Sequence, residues 1–180
     1  APGLFGFGMS LALERDNGLL TLKRAMPMPA QAYLLGKMVM AMMMALAIVV
    51  ILQLLATAVA GVTLNVQQVL RLTLVASFGT LPFCALGLLL GTLSKGNGAT
   101  AVINLIYLPM AVLSGLWFPL KVLPPLLQEM AVIWPSYHLN ALAQGALGFA
   151  VGSAWPHVLW LAAFSLVFIT WAGRRLRRHG

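Results

Sequence analysis

The chain has 180 residues, 61% of them hydrophobic and 8% charged, with a mean hydropathy of +0.95. Soluble domains carry about 25% charged residues, so this composition excludes an ordinary water-soluble domain and requires lipid over much of the surface. Lys and Arg number 11 against 3 Asp and Glu, a net charge of +8, but the cations stand in short clusters between long apolar runs, the pattern of membrane loops and not of a nucleic-acid-binding face.

Residues 1–13 lack the basic start of a secretory signal and run directly into Glu14-Arg15-Asp16. As a helix they reach about 20 Å, short of the roughly 30 Å hydrocarbon core. They read as the last turns of a helix that begins earlier, which predicts that the chain is the C-terminal part of a longer polypeptide.

The segment 14–37 is the first that does not read as a span. Asp16 or Asn17 is a candidate N-cap, because its side-chain oxygen can accept the free N–H groups of a helix start. Pro27 and Pro29 would end that helix after about two turns. Leu19, Leu22 and Met26 then share one side, with Lys23 and Arg24 elsewhere. Three readings stay open here: a helix on anionic lipid, a helix in the groove of a cytosolic partner, or a solvated loop.

Four runs follow that are long and apolar enough to cross a bilayer. They are residues 39–61, 70–93, 99–118 and 157–173. None alternates in polarity as barrel strands must, so the expected fold is all-α, a polytopic bundle of transmembrane helices. Within these runs Gln53 and Asn104 are polar. Each reads as an interhelical hydrogen-bonding residue or as part of a substrate path. The Gly87–Gly91 spacing reads either as a close helix–helix approach or as chance in a glycine-rich chain. Cys84 is the single cysteine; it excludes an intrachain disulfide and reads as a small packing residue.

Residues 119–156 are apolar yet broken by Pro124, Pro125 and Pro135. This pattern predicts short re-entrant helices over residues 119–150, which are tolerated only where protein covers them or they line a cavity. The positive-inside rule orients the whole. Nine cations (Arg15, Lys23, Arg24, Lys37, Lys95, Arg174, Arg175, Arg177 and Arg178) fall on one side of the four spans, against Arg71 and Lys121 on the other. The larger set is assigned to the cytoplasm, with the Arg174–Arg178 cluster on anionic phospholipid.

Catalytic and metal chemistry find little support. Gly91-Thr92-Leu93-Ser94-Lys95-Gly96 lacks the phosphate-loop pattern, so no nucleotide site is expected in this chain. His138, His157 and His179 have no metal-ligand spacing, and no metal is expected. A nucleophile and base could be sought only in Ser136 and His138. No acid lies within a span to serve a proton relay.

The stretch Glu14-Arg15-Asp16-Asn17-Gly18-Leu19, followed by Pro27, Tyr33, Gly36 and Lys37, resembles the cytosolic signature of ABC-2 type transporter permeases. In that family an E-R-E-x-G-T-type stretch precedes a coupling helix and a G-K pair opens the next span. Asp16 and Leu19 depart from the commoner Glu and Thr. Leu113-Ser114-Gly115-Leu116-Trp117-Phe118-Pro119 resembles the family's L-S-G-x-x-[FW]-P, and Trp134-Pro135-Ser136-Tyr137-His138 a later turn. The resemblance covers nearly the whole chain and implies a six-span fold, of which the first span and most of the second are absent here.

The resemblance further implies a non-catalytic export subunit that works as a dimer with a second permease copy. A separate cytosolic ABC ATPase subunit would carry ATP and Mg²⁺, and this chain would hold no cofactor. Glu14, Arg15, Gly18, Leu19, Leu22, Lys23 and Arg24 would then couple to that ATPase. Ser114, Gly115, Phe118, Pro119 and Pro135 would belong to the outer gate, and Gln53 and Asn104 would line the path. Ion pairs of Glu14 and Arg15 with the partner would give docking specificity more than the ~0–1 kcal/mol of an exposed pair. A hydrophobic or amphiphilic cargo, such as a drug or lipid, suits the apolar lining. The competing expectations are a self-contained secondary carrier or channel, and a membrane-embedded enzyme.

Overall fold

A computed structural model describes residues 2–18, 30–94, 98–115, 117, 120–149 and 152–179. Among them are seven α-helices, one 3₁₀ turn and no strand. The helices are α1 (Pro2–Asp16), α2 (Ala30–Ala58), α3 (Val66–Leu93), α4 (Gly98–Val112), α5 (Pro125–Ala131), α6 (Pro135–Leu147) and α7 (Trp155–His179), and the 3₁₀ turn is Leu120–Val122. The all-α expectation holds.

Among the described residues, three segments are long and apolar enough to cross a membrane: Ala32–Ala58, Val66–Leu93 and Trp155–Leu176. α2 and α3 start before their apolar runs, and α7 extends past its run at both ends. α2 starts nine residues before the run at 39–61, and takes in Lys37 because that charge has a partner, described below. α4 is the exception: it has 15 residues, about 22 Å at 1.5 Å per residue, and stops six residues before the end of the run at 99–118. Helices α3 and α4 carry Pro82 and Pro109 in their interiors. Each lacks the N–H that would close its own helical bond.

The chain divides into two compact units. The first comprises Ala1–Ala41, Leu81–Pro109 and Ala162–Gly180. Its core gathers Phe7 and Leu11 of α1, Leu34 and Ala41 of α2, Cys84, Leu88 and Leu89 of α3, and Ala172 and Leu176 of α7. Cys84 is buried there, as a packing residue would be. Helix α1 lies against α3 with almost no space between backbones. A Cβ placed on Gly87 would stand 2.6 Å from the Leu4 carbonyl oxygen, and one on Gly91 would stand 2.5 Å from that of Gly8. The Gly87–Gly91 spacing is therefore a real contact surface, which settles the two readings in favour of close helix approach.

The second unit comprises Met42–Thr80 and Met110–Leu161. Gln53 of α2 donates to the Val69 carbonyl of α3 at 3.3 Å and accepts from Thr73 at 3.4 Å. Thr73 also donates to the Val69 carbonyl at 2.8 Å. Gln68 of α3 reaches the Leu147 carbonyl at the end of α6 at 2.8 Å. These bonds satisfy polar groups that lipid cannot. The proline-bounded helices of the 119–150 region are present as α5 and α6, each with Pro at its first position, where the missing N–H costs nothing. α6 closes with the Phe149 N–H on the Gln144 carbonyl at 3.1 Å, a Schellman-type ending.

Candidate functional site: a polar clamp and a capped helix break

The first site is built on the end of α1 and the start of α2, both in the first unit. α1 continues through Asp16, and the Asn17 N–H still bonds the Leu13 carbonyl at 2.9 Å. Gly18 then takes a φ of +71°, a left-handed conformation that glycine adopts without a Cβ penalty and that commonly ends helices. Asp16, a candidate N-cap in the sequence, thus lies in the last turn of α1.

Glu14 is one turn from that end, where the helix dipole is unfavourable to a carboxylate. Its environment compensates. Lys37 Nζ of α2 lies 2.8 Å from Glu14 Oε1, and the Tyr33 hydroxyl donates to Glu14 Oε2 at 2.7 Å. Lys37 also donates to Ser10 Oγ at 2.9 Å, and Ser10 donates to the Phe7 carbonyl at 3.2 Å. The ammonium lies 5.6 Å from the Tyr33 ring centroid and 5.9 Å from that of Phe7, within cation–π range. The Lys37 and Glu14 side chains are 16% and 19% exposed, so the pair is sheltered from the solvent screening that weakens surface pairs. The clamp joins the residues that precede and follow segment 19–29.

The two Glu14 oxygens hold partners on α2 of their own chain. Leu19, Leu22, Lys23 and Arg24 lie outside the described residues, as does the Arg15 side chain. In the sequence Tyr33 stands only as part of a motif and Lys37 as part of that motif and of the cation count; neither spacing nor charge predicts their contact with Glu14. The available signal was scarcity: a chain with 3 carboxylates and a lysine at the edge of an apolar run has few ways to pair that lysine.

The second site lies where α4 stops, in the second unit. The last turn of a helix leaves carbonyls without intrahelical partners. Here side chains take them up. Ser114 Oγ donates to the Ala111 carbonyl at 2.6 Å. Ser136, on the first turn of α6, donates to the Met110 carbonyl at 2.9 Å. Asn140, one turn further, donates to the Ser114 carbonyl at 3.1 Å. Gly115 has a φ of +75°, and a Cβ there would press on Leu120 at 3.1 Å and on Asn140 Nδ2 at 3.3 Å. Ser114 and Pro135 are fully buried. Three of the five expected gate residues, Ser114, Gly115 and Pro135, thus belong to one capped break; Phe118 and Pro119 lie outside the described residues.

The remaining expected positions separate. Gln53 bonds α3, as an interhelical residue does, and belongs to the second unit; Asn104 is half-buried on α4 in the first. Ser136 and His138 do not form a nucleophile–base pair. The Ser136 hydroxyl serves Met110, and the two His138 nitrogens face the Val132 carbonyl and His157. The contact of His138 with His157 is another feature that spacing did not show, since the two are 19 residues apart.

Residues 3–147 match the family profile described as ABC-2 type transporter. The chain belongs to that family. The match includes both the clamp and the capped break, so neither lies in an addition outside the ABC-2 core. The chain is 28% identical over 164 residues to "Putative transport permease YvfS" of Bacillus subtilis (strain 168), covering 90% of this chain and 66% of that protein. It is 28% identical over 177 residues to "Inner membrane transport permease YhhJ" of Escherichia coli (strain K12), covering 95% of this chain and 46% of that protein. The chain therefore spans about two thirds of the first curated relative and under half of the second. No solved structure matches it significantly. With its long apolar helices, this ABC-2 family member is a multi-pass integral membrane protein.

Proposed function

We propose that the chain forms the membrane-spanning part of an ATP-driven exporter for a hydrophobic or amphiphilic substrate such as a drug or lipid, working by alternating access. Two copies enclose the path, and separate ABC ATPase subunits bind segment 14–37 from the cytoplasm and carry the ATP and Mg²⁺. This chain contributes no catalytic group of its own. Membership in the ABC-2 type transporter family over residues 3–147 carries the reading.

The clamp suggests how motion would travel. A pull on segment 19–29 acts on α1 and α2 together, because Glu14 and its partners Tyr33 and Lys37 tie the two helices. On the opposite side, the break around Ser114 and Gly115 with α5 and α6 would form the outer gate. Ser136 and Asn140 of α6 take up carbonyls at the end of α4, so these short helices can shift as a unit with the break without exposing its backbone to lipid. The Arg174–Arg178 cluster would sit on anionic phospholipid at the cytoplasmic face.

The test is assembly. Leu19→Asp and Leu22→Asp together are expected to abolish co-purification with the cognate ATPase while the permease still inserts. Undiminished assembly would overturn the coupling role of this segment. Substrate-stimulated ATPase activity of the reconstituted complex would identify the cargo. Transport by the permease alone, without ATP, would favour a secondary carrier instead.

A further inference from the structure

Two histidines meet in the second unit, one on α6 and one on the first turn of α7. His138 is 4% exposed. Its Nε2 is 2.8 Å from the Val132 carbonyl and its Nδ1 is 2.8 Å from His157 Nδ1. The Trp160 ring stacks on His138 at 4.4 Å between centroids, 21° from parallel. Tyr137 meets the same imidazole edge-on at 5.3 Å.

The partners determine where the hydrogens are. A carbonyl only accepts, so His138 carries its hydrogen on Nε2 and, when neutral, a lone pair on Nδ1. His157 must then donate from Nδ1, which leaves its own lone pair on Nε2. A first added proton binds His157 Nε2 and disturbs neither bond. It converts the His157–His138 contact into a charge-assisted one, which is stronger. A second proton finds only the His138 Nδ1 lone pair, already occupied by that bond. Adding it sets two N–H groups and two cations face to face.

We propose that His138 and His157 form a one-proton site that fastens α6 to α7 and parts when a second proton binds. Among the described residues, the titratable groups in ring contact with the pair do not offset the second charge. On α6 itself the titratable neighbour is Tyr137, from α7 it is His157, and Trp160 does not titrate. The turn before α6 supplies only the Val132 carbonyl. Burial, the largest effect, lowers the His138 pKa; the Val132 bond opposes it and the His157 charge adds to it. The sign follows directly. A histidine whose folded pKa lies below the ordinary value of about 6.5 keeps its contact above that value, and the contact is lost as pH falls through the depressed pKa. In the proposed topology this site faces the outer side, where it would respond to the pH of the medium.

Nitrogen-15 spectra of the intact protein with labelled histidine, in lipid nanodiscs, test the site directly. The two residues are assigned with His138→Gln and His157→Gln. At neutral pH the expected tautomers are Nε2–H for His138 and Nδ1–H for His157. On acidification the His138 Nδ1 lone pair should take up a proton only as its contact with His157 is lost. Trp160 emission, isolated by subtracting a Trp160→Phe variant, should change together with the protonation of His138, on which the indole stacks. In His157→Gln the amide can turn its oxygen toward His138, so the His138 titration should move to higher pH. The opposite His138 tautomer, a Trp160 emission that does not follow His138 protonation, or an unmoved His138 titration in His157→Gln would each overturn the proposal.

Discussion

At the scale of single residues, a few polar side chains satisfy one another within apolar surroundings. Glu14, Tyr33, Ser10 and Lys37 form one such group. Hydrogen bonds to charged groups contribute about 1.5–3 kcal/mol each, and the low exposure of this pair keeps the interaction in that regime. Lys37→Met should therefore lower stability by about 1–3 kcal/mol, read as a lower melting temperature in detergent. Glu14→Gln should cost less, because an amide oxygen still accepts from Lys37. A double exchange, Glu14→Lys with Lys37→Glu, should recover part of the loss; no recovery would show that packing and not the charge pair holds the two helices. The sequence marked Glu14 as functional but not its partners, since residues 14 and 37 are brought together only once α1 and α2 pack.

At the scale of elements, glycine decides how closely α1 and α3 approach. Gly91→Ala would place a methyl group 2.5 Å from the Gly8 carbonyl oxygen, where backbone must shift. The expected cost is about 1–3 kcal/mol, typical of overpacking. Gly6→Ala on α1 is the control. It meets nothing within 4 Å and should be neutral, or stabilising by up to ~1 kcal/mol through better helix propensity. Thermal unfolding of the two variants side by side checks both signs; equal effects would mean that the close approach is not maintained in the membrane. The end of α4 illustrates the limit of reading elements from hydropathy. Residues 113–118 are as apolar as the helix before them, yet Gly115 turns left-handed and α6 supplies the caps at Met110 and Ser114. Apolar content measures transfer to lipid, not backbone conformation.

At the scale of the whole molecule, the distribution of cations predicts an orientation that can be measured. With Cys84→Ser as background, single cysteines at Asn17 and Ser153 should label with a membrane-impermeant maleimide from opposite sides. Asn17 is expected to react only from the cytoplasm and Ser153 only from outside. Labelling of both from one side would remove the basis for a cytosolic coupling segment and an outer gate. Helix α2 also leaves large apolar side chains uncovered along its length, among them Leu35, Met43, Ile51 and Leu54. Such a surface requires lipid or a second subunit over it, in keeping with the dimer proposed above.

The amino-acid sequence by itself determined the all-α membrane class; of the four spans it predicts, three lie on described helices long and apolar enough to cross a membrane. These features depend on local composition and period, which the chain carries in every segment. The family motifs around Glu14 and Ser114 were legible for the same reason. Only the tertiary structure decided what the motif residues do: Glu14 binds Lys37 and Tyr33 of its own chain, Ser136 caps α4, Gly87 and Gly91 admit α1, and His138 faces His157. Each is a contact between residues distant in sequence, selected because a buried polar group must find a partner and a packed backbone must find space. Neither requirement has a signature until the helices are in place.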